Sequence, residues 1–328
     1  MQAIIQDRYG SRDVLQTQDV AKPKINDDEV LVRIQAASIH LGDWIMMTGS
    51  PLIMRMATGL RRPKNRVPGS DIAGTVESVG RNVRALRPGD EVLGWCAGAF
   101  AEYARTTEDQ LVRKPETLTF EEAAAIGVSA TTALQLLRDE VAIQKGQKVL
   151  INGASGGVGT FAVQIAKAFG AEVTGVCSTK NVELVRSIGA DHVIDYLAED
   201  FTANGRRYDV ILDNVGNHSL ATTRRALTPD GTLIPNGGGH MGGKLGRVIR
   251  TAIVSMFVRQ VGRPSVKTQN HADLVALTEL VDAGKVTPVI DRRYPLRSTA
   301  DAMGHVAAGH ARGTVVITVG EAPLAHVS

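Results

Sequence analysis

The stretch VLINGASGGVGTFAVQIAKAFG (149–170) decides the fold of this protein. It begins with an apolar run typical of a buried strand, turns through NGASGGVG (152–159), and continues as an Ala-rich run with helical spacing. The turn holds four glycines: Gly153, Gly156, Gly157 and Gly159. They allow a tight turn and a close backbone approach, and the N–H groups that open the helix would then face a phosphate group. This context favours a dinucleotide-binding turn over a glycine loop that binds nothing, although G-x-x-G-G-x-G is only a variant of the usual fingerprint.

Strand and helix patterns continue to alternate after this turn. They predict strands at 172–177, 192–196, 209–214 and 231–237, with helices at 181–189 and 219–227. Such a βαβ rhythm is typical of a parallel sheet covered by helices on both faces.

The flanking regions have a different pattern. The first 115 residues hold short β-branched runs separated by turn pairs such as Pro68–Gly69 and Pro88–Gly89, which predict a compact antiparallel or barrel-like domain. A helix is predicted at 271–284, followed by two strand-like runs. The basic cluster at 55–66 is interpreted as a solvated loop.

The end of the second strand of the alternating region indicates which nucleotide binds. An acidic residue there would bind the ribose 2′-OH of NAD, but this chain reads CSTKN (177–181). Two hydroxyls and the cation of Lys180 suit a 2′-phosphate, so NADPH is favoured over NADH. Alternatively, Ser178 or Thr179 caps the next helix while Lys180 is solvated.

Composition excludes several classes of protein. The chain has 328 residues, 43% hydrophobic and 22% charged, and its net charge of +3 supports neither a nucleic acid nor a membrane as partner. Its two cysteines, Cys96 and Cys177, cannot form a disulfide framework or a four-thiolate zinc site. The sequence lacks a signal-peptide pattern and a long apolar run, so a cytoplasmic location is predicted.

Five motifs occur in a characteristic order: PGSDIAGTVESVG (68–80), PGDEVLGW (88–95), AAAIGVSATTALQLL (123–137), VLINGASGGVG (149–159) and GADHVIDY (189–196). In this the chain resembles the medium-chain dehydrogenase/reductase superfamily, and most of all its zinc-independent quinone oxidoreductase branch, the ζ-crystallin-like proteins. The resemblance implies an α/β fold with a GroES-like, β-rich catalytic domain at 1–119 and 269–328. It also implies a Rossmann domain, a doubly wound parallel sheet, at 120–268, and a homodimer.

The resemblance implies roles for individual residues. Pyrophosphate contacts are implied for Ala154, Ser155, Gly156, Gly157 and Val158. A 2′-phosphate contact is implied for Ser178 and Lys180, an adenosine contact for Tyr196, and positions near the nicotinamide for Asn214, Val215, Gly216, Gly237 and Thr132. Tyr196 could instead be an ordinary strand-end aromatic residue, and Thr132 could bond back to its own helical turn.

Zinc-dependent members of the superfamily carry an early Cys and a Gly-His-Glu motif. Here the matching positions read His40–Leu41–Gly42–Asp43 and Gly69–Ser70–Asp71, so no catalytic metal is expected. Relatives often have Asn-Pro-x-Asp at the first of these positions, where His40 replaces the Asn. His40 could donate a proton near neutral pH or make only a structural hydrogen bond. Asp43 is better suited to fixing the turn than to transferring a proton. The candidate catalytic residues are His40, Asp43 and Thr132.

The function predicted from these features is zinc-independent, NADPH-dependent hydride transfer to a quinone or a similar electron-poor carbonyl acceptor. The nearest rival substrate is an enone or enoyl thioester, whose enolate would need a hydrogen-bond donor. An alternative of another class is an NADPH-binding structural or regulatory protein with little turnover.

Overall fold

The structure is a computed structural model that describes residues 1–52, 54–236, 254–255, 258, 260–262, 268–309 and 311–320. The chain forms two compact units. Unit 1 comprises Met1–Ser129, Gln269–Asp282 and Pro288–Ser328, and unit 2 comprises Ala130–Thr268 and Ala283–Thr287.

The described residues form strands β1 Gln2–Gln6, β2 Leu15–Asp19, β3 Glu29–Ile39, β4 Asp71–Val79, β5 Glu91–Trp95, β6 Tyr103–Thr107, β7 Leu111–Arg113, β8 Lys148–Asn152, β9 Glu172–Cys177, β10 His192–Asp195, β11 Tyr208–Asp213, β12 Leu227–Pro235, β13 Ile290–Pro295 and β14 Thr314–Thr318. They form helices α1 Leu41–Thr48, α2 Met54–Thr58, α3 Phe120–Leu134, α4 Gly157–Ala168, α5 Val182–Ser187, α6 Leu220–Arg224, α7 His271–Asp282 and α8 Thr299–Ala307.

Unit 1 is built on a seven-stranded sheet in the order β13-β14-β3-β4-β5-β7, with β6 also paired to β3. The pairs are antiparallel except for β13 with β14, and a β1–β2 ribbon forms separately. The C-terminal strand β14 pairs directly with β3, which joins the chain's last described strand to its N-terminal part. Alternating apolar side chains such as Ile34, Ile72 and Val92 are buried and form the core of this unit.

The pairing of β3 with β4 positions the polar residues of this unit. Its register sets Ser38 opposite Asp71, immediately before the chain leaves β3 and enters α1. Helix α3 is kinked at Gly127, where a Cβ atom would overlap the Asp71 carboxylate. Only glycine therefore lets the α3 backbone lie this close to Asp71.

Unit 2 holds a five-stranded parallel sheet in the order β10-β9-β8-β11-β12. The strands β8, β9 and β11 are almost entirely buried, as expected for a parallel sheet. The chain runs from β8 to one side of the sheet and later crosses to β11 on the other. The carboxyl ends of β8 and β11 therefore form the switch point, the usual ligand-binding position of such sheets.

The α/β class and the parallel Rossmann-type sheet predicted from the sequence are confirmed. Several element bounds differ from prediction. The helix predicted at 219–227 ends at Arg224, and β12 begins already at Leu227. Helices α1 and α8 were not predicted, because short helices carry little periodicity of their own.

Candidate active site

The glycine turn connects β8 to α4 at the switch point of unit 2. Gly153 has a φ of +80°, a left-handed conformation that favours glycine. A Cβ atom on Gly159 would overlap the carbonyl oxygen of Gly153, so α4 can begin this close to β8 only with glycine there. At Gly156, by contrast, the nearest atom to an added Cβ atom would be the Gly153 oxygen at 3.6 Å, which leaves space beside the turn.

The start of α4 suits an anion. Gly156 is the N-cap and provides no side-chain cap, and the first turn, all of it within the described residues, holds no acidic side chain. The N–H groups of that turn are therefore available to a ligand, and the positive end of a 12-residue helix points the same way. These residues fit the pyrophosphate of a dinucleotide.

A buried carboxylate joins the glycine turn to the neighbouring strand end. Asp213, at the end of β11, is 1% exposed and accepts a hydrogen bond from Asn152 Nδ2 at 2.8 Å. It also accepts the backbone N–H groups of Val215 at 3.2 Å and Gly216 at 2.8 Å. Asp213 thereby fixes the 214–216 turn against the end of β8, a role that the sequence did not reveal.

The predicted nicotinamide-end residues lie in this turn. Asn214 Oδ1 accepts a hydrogen bond from Asn236 Nδ2 at 2.8 Å, while Asn214 Nδ2 is buried without a hydrogen-bond partner among the described residues. A buried donor of this kind is costly unless a ligand accepts its hydrogen bond. Val215 is exposed, Gly216 has a φ of +72°, and Gly237 lies outside the described residues.

The end of β9 carries the residues predicted to select the cofactor. Lys180 is exposed and Ser178 half-buried, so both can reach a ligand. Thr179 donates to Asp195 Oδ2 at 2.5 Å, and this bond lowers the pKa of the Asp195 carboxyl. The sequence segment itself has no acid, but the parallel pairing of Cys177 with Asp195 brings a carboxylate from β10 to its side. Tyr196, the next residue, is 55% exposed.

The glycine turn and the β9 end are tied together by a side-chain hydrogen bond. Asn181 Nδ2 donates to Ser155 Oγ at 2.9 Å, and both residues are buried. Ser155 therefore acts within the turn as an acceptor for Asn181, which orients the loop that carries Lys180. Ala154 is fully buried, whereas Gly156, Gly157 and Val158 are all half-buried.

A second polar cluster lies in unit 1, around the candidate catalytic residues. His40 Nε2 lies 3.1 Å from Ser70 Oγ and 3.4 Å from Asp43 Oδ2. Asp43 accepts the His40 backbone N–H at 2.9 Å, which completes a capping box at the start of α1. The sequence-based expectation that Asp43 fixes this turn agrees with that hydrogen bond.

Asp71 extends the cluster into the sheet. It accepts hydrogen bonds from Ser38 Oγ at 2.9 Å, Ser70 Oγ at 3.2 Å and the Val128 backbone N–H at 3.0 Å. Ser70 thus links His40 to Asp71. In the sequence, Ser70 and Asp71 stood out only because they replace the His and Glu of the zinc-dependent relatives.

Burial changes the acidity of this cluster. Desolvation raises the pKa of Asp43 to about 6, although the nearby His40 works against the rise, and Asp43 Oδ1 has no hydrogen-bond partner among the described residues. Desolvation also raises the pKa of Asp71, against the opposing effects of His40 and of its donors. Burial and the charge of Asp71 raise the pKa of the Cys96 thiol, so this cysteine is neutral and a poor nucleophile or metal ligand.

The structure therefore groups the predicted residues in two places. His40 and Asp43 lie together in unit 1, and the residues from Ala154 to Val158 lie near Ser178 and Asn214 to Gly216 at the carboxyl edge of the unit 2 sheet. Thr132 lies in α3 and is partly buried. Within the described ranges, no group of three or more His, Cys, Asp or Glu residues could hold a metal ion.

Comparison with known proteins identifies the family. A family model described as "Alcohol dehydrogenase GroES-like domain" matches residues 26–116, and one described as "Zinc-binding dehydrogenase" matches residues 188–317. The mouse protein "NAD(P)H oxidoreductase RTN4IP1, mitochondrial" is 34% identical, over 97% of this chain and 89% of its own length. The chain belongs to the medium-chain dehydrogenase/reductase superfamily.

Two further matches indicate the branch of the medium-chain dehydrogenase/reductase superfamily. The Arabidopsis thaliana protein "NADPH-dependent alkenal/one oxidoreductase, chloroplastic" is 32% identical over 97% of this chain and 79% of its own length. The structure of the quinone oxidoreductase from Coxiella burnetii has a TM-score of 0.85 and 28% identity, covering 98% of this chain and 99% of its own. This medium-chain dehydrogenase/reductase therefore lies in the quinone oxidoreductase-like branch and is an NAD(P)H oxidoreductase, which confirms the resemblance.

The location of the protein stays a prediction. The mouse and Arabidopsis relatives are mitochondrial and chloroplastic by name, so they lend no support to the cytoplasmic location predicted for this medium-chain dehydrogenase/reductase. Among the helices formed by described residues, none is long and apolar enough to cross a bilayer.

Proposed function

We propose that this chain is an NADPH-dependent reductase that works without zinc and passes a hydride to a quinone or a similar electron-poor carbonyl. The observation that carries the proposal is the uncapped, acid-free start of α4 beside the open position at Gly156. When bound, the reduced nicotinamide supplies the hydride, while the protein binds, orients and stabilises charge.

The cofactor would be held entirely by residues of unit 2. The glycine turn from Ala154 to Val158 would lie against the pyrophosphate. The buried Nδ2 of Asn214 would donate at the nicotinamide end, which Val215, Gly216 and Gly237 would border. Ser178 and Lys180 would bind the 2′-phosphate, with Tyr196 against the adenosine. The negative charge of Asp195 would repel a 2′-phosphate bound at Ser178 and Lys180. The hydrogen bond from Thr179 already disperses part of that charge.

His40 is the proposed proton donor to the acceptor. Its Nε2 atom lies 3.1 Å from Ser70 Oγ, and Ser70 donates to the Asp71 carboxyl, so the imidazole is linked through Ser70 to a buried acid. A quinone makes a small demand on such a donor, because the charge of its reduced oxyanion is delocalised. Thr132 is proposed to lie toward the nicotinamide.

An enone or enoyl thioester is the second candidate acceptor. The specific observation in its favour is the His40–Ser70–Asp71 chain, because an enolate needs a hydrogen-bond donor where its charge develops. The Arabidopsis relative is named for such a reaction.

A panel of acceptors tests both candidates. The protein is mixed with NADPH or NADH and with a 1,4-quinone, a 2-alkenal or an enoyl thioester, and loss of the reduced cofactor is followed by absorbance. Faster oxidation of NADPH than of NADH, dependent on one of these acceptors, is expected. Saturable NADPH binding with no oxidation across the panel would instead identify a binding protein with little turnover. A metal assay that finds one zinc ion per chain would contradict the zinc-free proposal.

Cofactor selection has its own test with a matched control. Lys180→Ala is expected to weaken NADPH binding roughly tenfold and to leave NADH binding unchanged, because a charge-assisted bond contributes about 1.5 kcal/mol or more. Lys148→Ala removes an exposed lysine at the opposite, amino end of β8 and should change neither affinity. Equal loss of NADPH and NADH binding in Lys180→Ala would contradict a contact with the 2′-phosphate. Gel filtration tests the proposed homodimer.

A further inference from the structure

Large apolar side chains with high exposure concentrate in one short part of unit 1. The segment holds Leu41 (48% exposed), Met46 (37%), Leu52 (71%), Met56 (71%) and Leu60 (73%). Elsewhere in the described residues the large apolar side chains with comparable exposure are Tyr196, Leu197, Val215 and Val275. Single exposed apolar residues are ordinary, but five within 20 residues of chain set this segment apart from the rest of the described residues.

The same segment is strongly basic. From residue 44 to residue 70 the chain has five cations and no Asp or Glu. Arg66 pairs with Asp7, and Arg55 donates to the Gly49 carbonyl at 3.1 Å and lies over the Tyr9 ring. The other three cations, Arg61, Arg62 and Lys64, are exposed next to Leu60.

The exposed side chains stand on an anchored backbone. Helix α1 begins with the capping box of His40 and Asp43, and Met47 of its last turn is buried in the unit 1 core. After α2, the Tyr9 hydroxyl donates to the Gly59 carbonyl at 2.6 Å. The apolar exposure is therefore a feature of folded structure and does not come from a frayed end.

We infer that the α1–α2 surface, residues 41–52 and 54–64, docks on a bilayer that carries anionic lipids. Apolar side chains that enter the headgroup region, interleaved with Arg and Lys that bind lipid phosphates, are what such a surface requires. A second copy of the same surface fits poorly, because a twofold contact would bring like charges together. The inference revises the sequence-based interpretation of 55–66 as a solvated loop and the expectation of no membrane partner, and it is independent of the acceptor proposed above.

Co-sedimentation of the full chain with vesicles tests this inference without any turnover. Binding is expected to vesicles of phosphatidylcholine with phosphatidylglycerol, to be much weaker with phosphatidylcholine alone, and to decrease as salt is added. A cation near an anionic surface strengthens binding about fivefold, equivalent to about 1 kcal/mol. Arg61→Gln combined with Arg62→Gln should therefore weaken binding roughly 25-fold.

Two matched controls distinguish docking through this surface from nonspecific electrostatic binding and from nonspecific hydrophobic binding. Arg206→Gln with Arg207→Gln removes the same charge from exposed positions of unit 2, and should leave vesicle binding within about twofold of wild type, since those residues lie outside the proposed surface. Leu60→Asn should weaken binding, whereas Leu197→Asn, at an equally exposed leucine, should not.

Equal losses in the test and control variants would overturn the inference, as would absence of binding to anionic vesicles at low salt. In the latter case the surface would belong to an acidic protein partner instead. Reduction of a water-soluble quinone should be unchanged in Arg61→Gln with Arg62→Gln, so failure of docking and failure of the proposed reductase activity are separately visible.

Discussion

Replacing Asp43 by Asn removes a buried negative charge and keeps a side-chain oxygen for the His40 backbone N–H. Asp43 is 1% exposed, and burial raises its pKa from 3.8 to about 6. Between these two pH values the folded protein binds more protons at this site than the unfolded chain does. The free energy of unfolding of the wild type therefore falls as pH rises through this window, and the Asn variant lacks that decline.

The size of the effect follows from the shift in the pKa of Asp43. A rise from 3.8 to about 6 corresponds to about 3 kcal/mol, at 1.36 kcal/mol per pH unit. The wild type is thus expected to lose about 3 kcal/mol relative to Asp43→Asn between about pH 4 and about pH 7. With a urea slope of about 3 kcal/mol per M, the unfolding midpoints should shift relative to one another by about 1 M.

Tryptophan fluorescence measures this in unit 1 alone, because the chain's two tryptophans, Trp44 and Trp95, both lie there. Urea unfolding is followed at several pH values for wild type, Asp43→Asn and a control, Asp28→Asn. Asp28 is an exposed carboxylate of the same unit, and its variant should follow the wild-type pH dependence. If the wild type and Asp43→Asn run parallel within about 0.5 kcal/mol across this range, the inference that Asp43 carries a raised pKa in the folded state is refuted.

Three further outcomes are expected. Gly159→Ala should destabilise unit 2 by about 1–3 kcal/mol and weaken NADPH binding, because its methyl group would overlap the carbonyl oxygen of Gly153. The control Gly156→Ala should change stability by less than about 0.5 kcal/mol, and equal effects of the two variants in thermal melts would contradict the turn geometry. His40→Asn should lower kcat for an enone roughly 100-fold and for a 1,4-quinone much less, and a uniform loss would indicate a structural role only. Asp213→Ala should destabilise unit 2 by about 1–3 kcal/mol and weaken NADPH binding measured by titration, because it removes the oxygen that accepts three hydrogen bonds at the switch point; wild-type NADPH affinity would contradict that role.

The sequence by itself determined the features that depend on local pattern. The apolar run of β8, the glycine turn and the helical spacing of α4 are close along the chain, so their periodicity predicts the parallel sheet and its nucleotide-binding turn. Ser178 and Lys180 follow directly on β9, so the sequence also predicts their place at a strand end, while their contact with a 2′-phosphate stays a prediction.

Only the tertiary structure decided which distant residues meet. The register of β3 with β4 places Ser38 opposite Asp71, and the register of β9 with β10 brings Asp195 to Thr179. No local pattern encodes such pairings. The degree of burial is likewise a property of the folded chain. Asp43 is buried, which raises the pKa of its carboxyl. The apolar residues of the α1–α2 surface remain exposed, although their hydrophobicity alone predicts a core position.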